Sequence, residues 1–153
     1  MRVARLASPV VRIVFGTDME NDVTDEVIAE LKRQGHSVER VAGGAQWPEV
    51  GRAVGEAVAS FRAERGVVCC WTGTGVSIAA NKVPGVRAAL CTDAATAAGA
   101  RRWNDANVLA IGLRLSSSEV AKEMIDAFLS NRPDDDELDV VARVEQPPGT
   151  PSR

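Results

Sequence analysis

Residues 69–82 read Cys-Cys-Trp-Thr-Gly-Thr-Gly-Val-Ser-Ile-Ala-Ala-Asn-Lys, and they close an apolar run that begins at residue 66. Unbroken hydrophobicity over residues 66–70 is the pattern of a parallel strand covered on both faces. The strand ends on a thiol, a turn containing Gly73 and Gly75 follows, and a helix is predicted to begin near Val76 or Ser77 and run to Lys82. Glycine has no Cβ, so the backbone of such a turn can take positive φ and bring its N–H groups close to a ligand oxygen. The helix adds unpaired N–H groups and the positive end of its dipole. Negative charge is therefore stabilised in the turn. Cys70 lies where a helix N-terminus favours a thiolate, which is a usable proton acceptor. Free cysteines are also commonly small buried strand residues. Cys69, projecting to the other face of the strand, is read in that way, and for Cys70 both readings stay open.

Upstream, residues 10–15 form a β-branched run ending at Gly16, preceded by an extension over residues 1–9 that contains Pro9 and is expected to trail. Val23, Val27, Ile28 and Leu31 recur at helical spacing and Gly35 closes that helix. His36, the only histidine, precedes a strand over residues 37–41 and is read as a surface residue rather than a ligand. After a loop at residues 42–48, Val50, Val54, Ala57, Val58 and Phe61 make the apolar stripe of a second helix. Downstream of residue 82, a Pro84-Gly85 turn leads to a strand over 86–91. An alanine-rich helix over 94–102 and a strand over 107–111 follow. A last strong helix is capped within residues 116–118 and buries Val120, Met124, Ile125, Phe128 and Leu129. Strands alternating with helices imply a three-layer α/β/α sandwich with a five-stranded parallel sheet and right-handed crossovers. Residues 10–145 are read as one domain, with a short helix over 138–145 after an acidic run, and residues 146–153 as a disordered Pro-rich tail.

A chain of 153 residues suits one domain with a real core. A net charge of −3 with no basic stripe disfavours nucleic acid. Three cysteines, two of them adjacent, make no disulfide framework and suit a reducing cytoplasm. Neither a secretory leader nor a membrane span is expected.

Open parallel sheets bind ligands beyond the carboxyl ends of their strands. That rule brings Asp18 after the first strand, Cys70 to Gly75 after the third, Asp93 after the fourth and Arg114 after the fifth toward one crevice. Asp18 begins a polar loop suited to sugar hydroxyls, although Asp18, Asn21 or Asp22 would equally serve as a helix cap. Arg114 offers a fork of donors for phosphate or carboxylate.

With these residues in view, the chain resembles the family of type B ribose-5-phosphate isomerases and galactose-6-phosphate isomerase subunits. The matching pieces are Phe-Gly-Thr-Asp at 15–18, Trp-Pro at 47–48, the cysteine-to-lysine segment at 70–82, Val-Pro-Gly-Val-Arg-Ala at 83–88 and Asn-Asp-Ala-Asn-Val-Leu-Ala-Ile-Gly at 104–112. The resemblance implies a Rossmann-like sheet, a homodimer or tetramer with sites at the subunit interface, and aldose–ketose isomerisation without metal or other cofactor. It implies that Cys70 moves a proton between C1 and C2 of a sugar or sugar phosphate. The intervening enediolate would be held by the loop of Gly73, Thr74 and Gly75. Thr72 matches a residue associated with ring opening, and Asp18, Asn104 and Arg114 match positions that touch hydroxyls or phosphate.

The departures are informative. Met19 and Trp103 stand where the resemblance expects histidines, the second of them tied to ring opening. Trp71 stands at a common glycine, and Glu137 and Val141 stand where two phosphate-gripping arginines are expected. The expected substrate is therefore an already open-chain sugar, such as a tetrose or tetrulose phosphate, or one without a terminal phosphate, rather than ribose 5-phosphate. The alternative is a catalytically silent sugar-binding or structural subunit. A nucleotide or flavin module would need its glycines after the first strand, where Gly-Thr-Asp-Met-Glu-Asn stands instead. Adjacent cysteines lack the spacer of a redox pair.

Overall fold

A computed structural model describes residues 9–151, and its elements run β1 (Arg12–Thr17), α1 (Asp22–Arg33), β2 (Ser37–Arg40), α2 (Trp47–Ala59), β3 (Arg65–Cys70), α3 (Thr74–Asn81), β4 (Ala88–Cys91), α4 (Ala94–Asn104), β5 (Val108–Gly112), α5 (Ser118–Ser130) and α6 (Leu138–Ala142), with short 3-10 turns on either side of α6. The five strands form one sheet in the order β2-β1-β3-β5-β4, and every pairing is parallel. The expected α/β/α sandwich is the observed architecture.

The two faces of the sheet bury separate cores. On one, Ile13, Phe15, Val67, Cys69, Leu109 and Ile111 meet α1, α4 and α5. On the other, Val14, Val68, Cys70 and Ala110 meet α2 and α3. The alternation of Cys69 and Cys70 between these cores is the period-2 pleat of β3. Val27, Ile28 and Leu31 of α1 are buried, each contributing about 1.5–3 kcal/mol of transfer free energy. Asn21 caps α1 by accepting from the Val23 and Thr24 N–H groups, so the Asp18 side chain is not consumed in capping.

Several boundaries shift from expectation. β1 begins at Arg12 and continues through Gly16 to Thr17 because Gly16 and Thr17 pair with Val68 and Cys69 of β3. β4 begins at Ala88 rather than residue 86, since Asn107 holds the preceding turn: its Oδ1 accepts from Arg87 N (2.8 Å) and its Nδ2 donates to Gly85 O (2.9 Å). α3 begins at Thr74, two residues early, with Gly73 at φ 75° as its N-cap. His36 is buried rather than on the surface: its Nδ1 accepts the Val11 N–H at 3.1 Å, and it joins the start of β1 to the loop before β2.

The regular elements of the described residues begin with β1 at Arg12 and end with the 3-10 turn after α6 at Glu145. Residues 1–8 of the proposed extension and residues 152–153 of the proposed tail lie outside the described residues. No helix among those described is long and apolar enough to cross a membrane.

Candidate active site

The order β2-β1-β3-β5-β4 turns outward in both directions from the β1/β3 pair, so the crevice of this sheet opens beyond Thr17 and Cys70. Cys70 ends β3 on the α2/α3 face and is 5% exposed. Its Sγ accepts a hydrogen bond from the Gly73 N–H at 3.2 Å. The expectation of a nest of N–H groups is thus refined: Gly73 serves the sulfur, and the unpaired amides at the start of α3 remain for a ligand. An N–H donor and a helix N-terminus both direct positive potential at that sulfur.

The loop is held by backbone approach. A Cβ at Gly73 would sit 2.5 Å from Leu90 and 2.8 Å from the Gly112 nitrogen, and one at Gly112 would sit 2.6 Å from the Thr72 carbonyl oxygen. The Cys70 and Trp71 carbonyls accept the Leu113 and Arg114 N–H groups at 2.9 and 2.8 Å, joining the loops after β3 and β5. That pairing places the Arg114 backbone beside Trp71, the residue after the candidate base. Thr72 and Thr74 share a hydroxyl–hydroxyl hydrogen bond of 2.7 Å. Trp47, from α2, lies against Gly75, where a Cβ would come within 2.8 Å of its ring.

Burial pushes the Cys69 thiol far above its ordinary range, and burial followed by the Asp93 charge pushes Cys91 up to about 11. Both stay protonated at neutral pH. Asp93 is also at the carboxyl end, but its carboxylate caps α4 by accepting from the Thr96 hydroxyl and N–H. Those bonds hold its carboxyl below the usual range and leave it a structural role.

Beside Asp18 lies a cavity of about 350 Å³ whose walls come from β1, β2 and the loops that follow them. Cys70 does not line it, but Asp18 and Met19 do. Arg40, Gly43 and Gly44, none of them a site residue expected from the sequence, also line it. Their signal was available: a cation ends the second strand and a glycine pair follows it, at the same pole as Asp18.

Trp103 and Asn104 stand elsewhere. They end α4, and the next residue, Asp105, pairs with Arg87 at the start of β4. They therefore belong to the amino end of the sheet, roughly 15 Å along the strands from Cys70. Glu137 and Val141 belong to the same pole, since the segment that carries them is tied down by Asp134 to Arg102 and by Glu145 to Arg87 and Gly85. One chain therefore gathers Asp18, Met19, Cys70 to Gly75 and Arg114, and leaves Trp103 and Asn104 at the opposite end. Trp71 and Trp103 are 49% and 53% exposed, large apolar surfaces at the two poles. Among the described residues no cluster of three or more His, Cys, Asp and Glu side chains is arranged to hold a metal ion.

The Ribose/Galactose Isomerase family pattern matches residues 13–146. The chain belongs to that family. Within it, the sequence is 40% identical over 114 residues to the galactose-6-phosphate isomerase subunit LacB of Clostridium acetobutylicum, an alignment spanning 71% of this chain and 65% of the subunit, just under two thirds of its length. It is 37% identical over 113 residues to the D-erythrulose-4-phosphate isomerase of Pectobacterium atrosepticum, spanning 73% of this chain and 74% of that enzyme. Ribose-5-phosphate isomerase B of Clostridium thermocellum superposes with a TM-score of 0.83 at 35% identity, over 88% of this chain and 95% of that one. These relatives are thus named as isomerases of sugar phosphates, and the sheet described above is the fold shared with the solved ribose-5-phosphate isomerase B.

Proposed function

We propose that this protein interconverts an aldose and a ketose by cysteine-mediated proton transfer, and that its substrate is a short open-chain sugar phosphate. The observation that carries the reading is the Gly73 N–H donated to Cys70 Sγ at the mouth of the β1/β3 crevice, with the α3 amides beside it. Starting from the ketose, the Cys70 thiolate takes a proton from C1, the electron pair of that C–H bond becomes the C1–C2 double bond, and the C2 carbonyl pair moves onto its oxygen, leaving an enediolate. The same thiol returns the proton to C2, and the hydroxyl proton passes between the two oxygens. Amides of Thr74 and Gly75 and the Arg114 guanidinium supply donors to the developing oxyanion. Thr72, bonded to Thr74, is placed to hand a proton between oxygens.

Met19 and Trp103 favour an acyclic substrate, because neither side chain can protonate a ring oxygen. A relative named D-erythrulose-4-phosphate isomerase supports the same direction. The position of Trp103 and Asn104 at the far pole supports a homodimer in which each chain completes its partner's crevice. The three free thiols suit a cytoplasmic protein.

The test is a panel of tetrose, pentose and hexose phosphates beside their unphosphorylated forms. We expect kcat/KM for D-erythrulose 4-phosphate to exceed that for ribose 5-phosphate by roughly 10²-fold. A preference for ribose 5-phosphate would overturn the substrate assignment. The second reading, a catalytically silent sugar-binding or structural subunit, draws on the 5% exposure of Cys70. It predicts turnover of no member of the panel.

A further inference from the structure

The cavity at the carboxyl ends of β1 and β2 contains a cation for which the reading above has no use. Arg40 ends β2 with its guanidinium carbon 5.8 Å from the centroid of the Phe15 ring, and its Nη2 donates to the Glu20 carboxylate. The following loop turns through Ala42 at φ 54° and Gly44 at φ 78°. Among the described residues, the N–H groups of Gly43 and Gly44 have no hydrogen-bond partner, and both residues line the cavity with Arg40 and Asp18. A guanidinium and two exposed loop residues whose N–H groups are not used within the protein therefore line one space of about 350 Å³.

Charge decides what that space can take. With Glu20 seated on Arg40 and Asp18 opposite, the cavity carries one cation against two carboxylates and repels an anion. Glu20 is easily displaced, however. Its side chain is 66% exposed, and an ion pair that open to solvent is worth at most about 1 kcal/mol. A phosphate monoester offers Arg40 a bidentate, doubly charged partner and offers the two loop amides an acceptor, which one carboxylate cannot match. The Phe15 face keeps the guanidinium in position when Glu20 leaves.

We propose that this cavity is the subsite for the phosphate of the substrate, with Arg40 as its ligand and Glu20 as an exchangeable internal anion that occupies Arg40 until phosphate arrives. β2 and β3 flank β1, and Arg40 lies level with Phe15 and Val67, three residues short of Cys70, so the Arg40 and Cys70 Cα atoms are about 14 Å apart. A four-carbon chain ending in phosphate extends roughly 6 Å on single bonds of about 1.5 Å. The remainder is the reach of the sulfur at one end and of the guanidinium at the other. The subsite supplies a cation that neither Glu137 nor Val141 provides.

The inference rests on the sugar-phosphate reading for its physiological ligand, but its test does not need turnover. Calorimetric titration of the full chain with inorganic phosphate is the measurement, on wild type and on Arg40→Gln, Arg40→Lys, Glu20→Gln and Arg114→Gln. We expect Arg40→Gln to weaken binding by roughly tenfold or more, and Arg40→Lys to recover part of that loss. Glu20→Gln, which removes the competing anion, should tighten binding several-fold, and Arg114→Gln should weaken it less than Arg40→Gln does. Both Arg40 and Glu20 are solvent-exposed, so their variants fold. Wild type that fails to bind phosphate, Arg40→Gln that binds like wild type, Glu20→Gln that binds no better, or a greater loss in Arg114→Gln would each overturn the assignment. Failure of the Cys70 chemistry would leave the phosphate titration untouched, and failure of the titration would leave Cys70 turnover untouched.

Discussion

A methyl group at position 73 would meet Leu90 at 2.5 Å and backbone at 2.8 Å, in a φ of 75° that side chains rarely adopt. Gly73→Ala therefore combines backbone strain of about 1–3 kcal/mol with overpacking of similar size. The strained backbone also displaces the N–H donated to Cys70. We expect a lower melting temperature together with a loss of kcat larger than the loss of stability explains, read by thermal unfolding and steady-state kinetics. At this scale the sequence is legible where chemistry is local: the thiol and the glycines stand within residues 70–75, and the polar Asp18 loop directly follows the first strand. It was illegible where partners come from afar. Arg101 looked like one more residue of an alanine-rich helix, yet it is 2% exposed, bonded to Asp105 at 2.9 Å and the Ala106 carbonyl at 2.5 Å, and over the Phe128 ring. His36 was misread for the same reason, since its partner Val11 is 25 residues away.

Among the elements, α3 carries the amides, and its placement depends on α2. Gly51 and Gly55 of α2 let the two helices approach closely: a Cβ at 51 would lie 2.6 Å from that of Ala79 and 2.7 Å from the Val76 carbonyl oxygen. Gly51→Ala gains about 1 kcal/mol of helix propensity, but the clash with backbone cannot be relieved by a rotamer and costs about 1–3 kcal/mol. We expect net destabilisation in chemical denaturation and a displaced α3 N-terminus, read as a raised KM. The strands and α1 to α5 were visible as apolar runs and 3.6-spaced stripes where they bury a face in one of the two cores, whereas β2 packs only Val38 against its core and α6 buries no residue. Their ends were less visible. α3 starts early because Gly73 supplies a left-handed N-cap, and β4 starts late because the Asn107 side chain holds residues 85–87 in a turn.

For the whole molecule, strand order is the property that periodicity does not contain. Nothing in the apolar pattern distinguishes β2-β1-β3-β5-β4 from an order with β4 next to β3, and only the observed order sets Cys70 between the Asp18 and Gly112 loops. It also assigns Trp103 and Asn104 to the pole opposite the thiol. If each crevice is completed by a partner chain, Cys70→Ala and Asn104→Ala, each inactive alone, should complement. Random mixing makes half the dimers mixed, each with one intact site, so about one quarter of wild-type activity should return after co-refolding. No recovery would mean that one chain supplies the whole site.

The role of Cys70 is tested most directly by solvent exchange. In deuterium oxide with D-erythrulose 4-phosphate, wild type should incorporate deuterium at C1 of the ketose and C2 of the aldose, followed by proton magnetic resonance. Cys70→Ala, folded as judged by its thermal transition, should lose that incorporation by roughly 10²–10⁴-fold. Incorporation by Cys70→Ala at the wild-type rate would contradict the account.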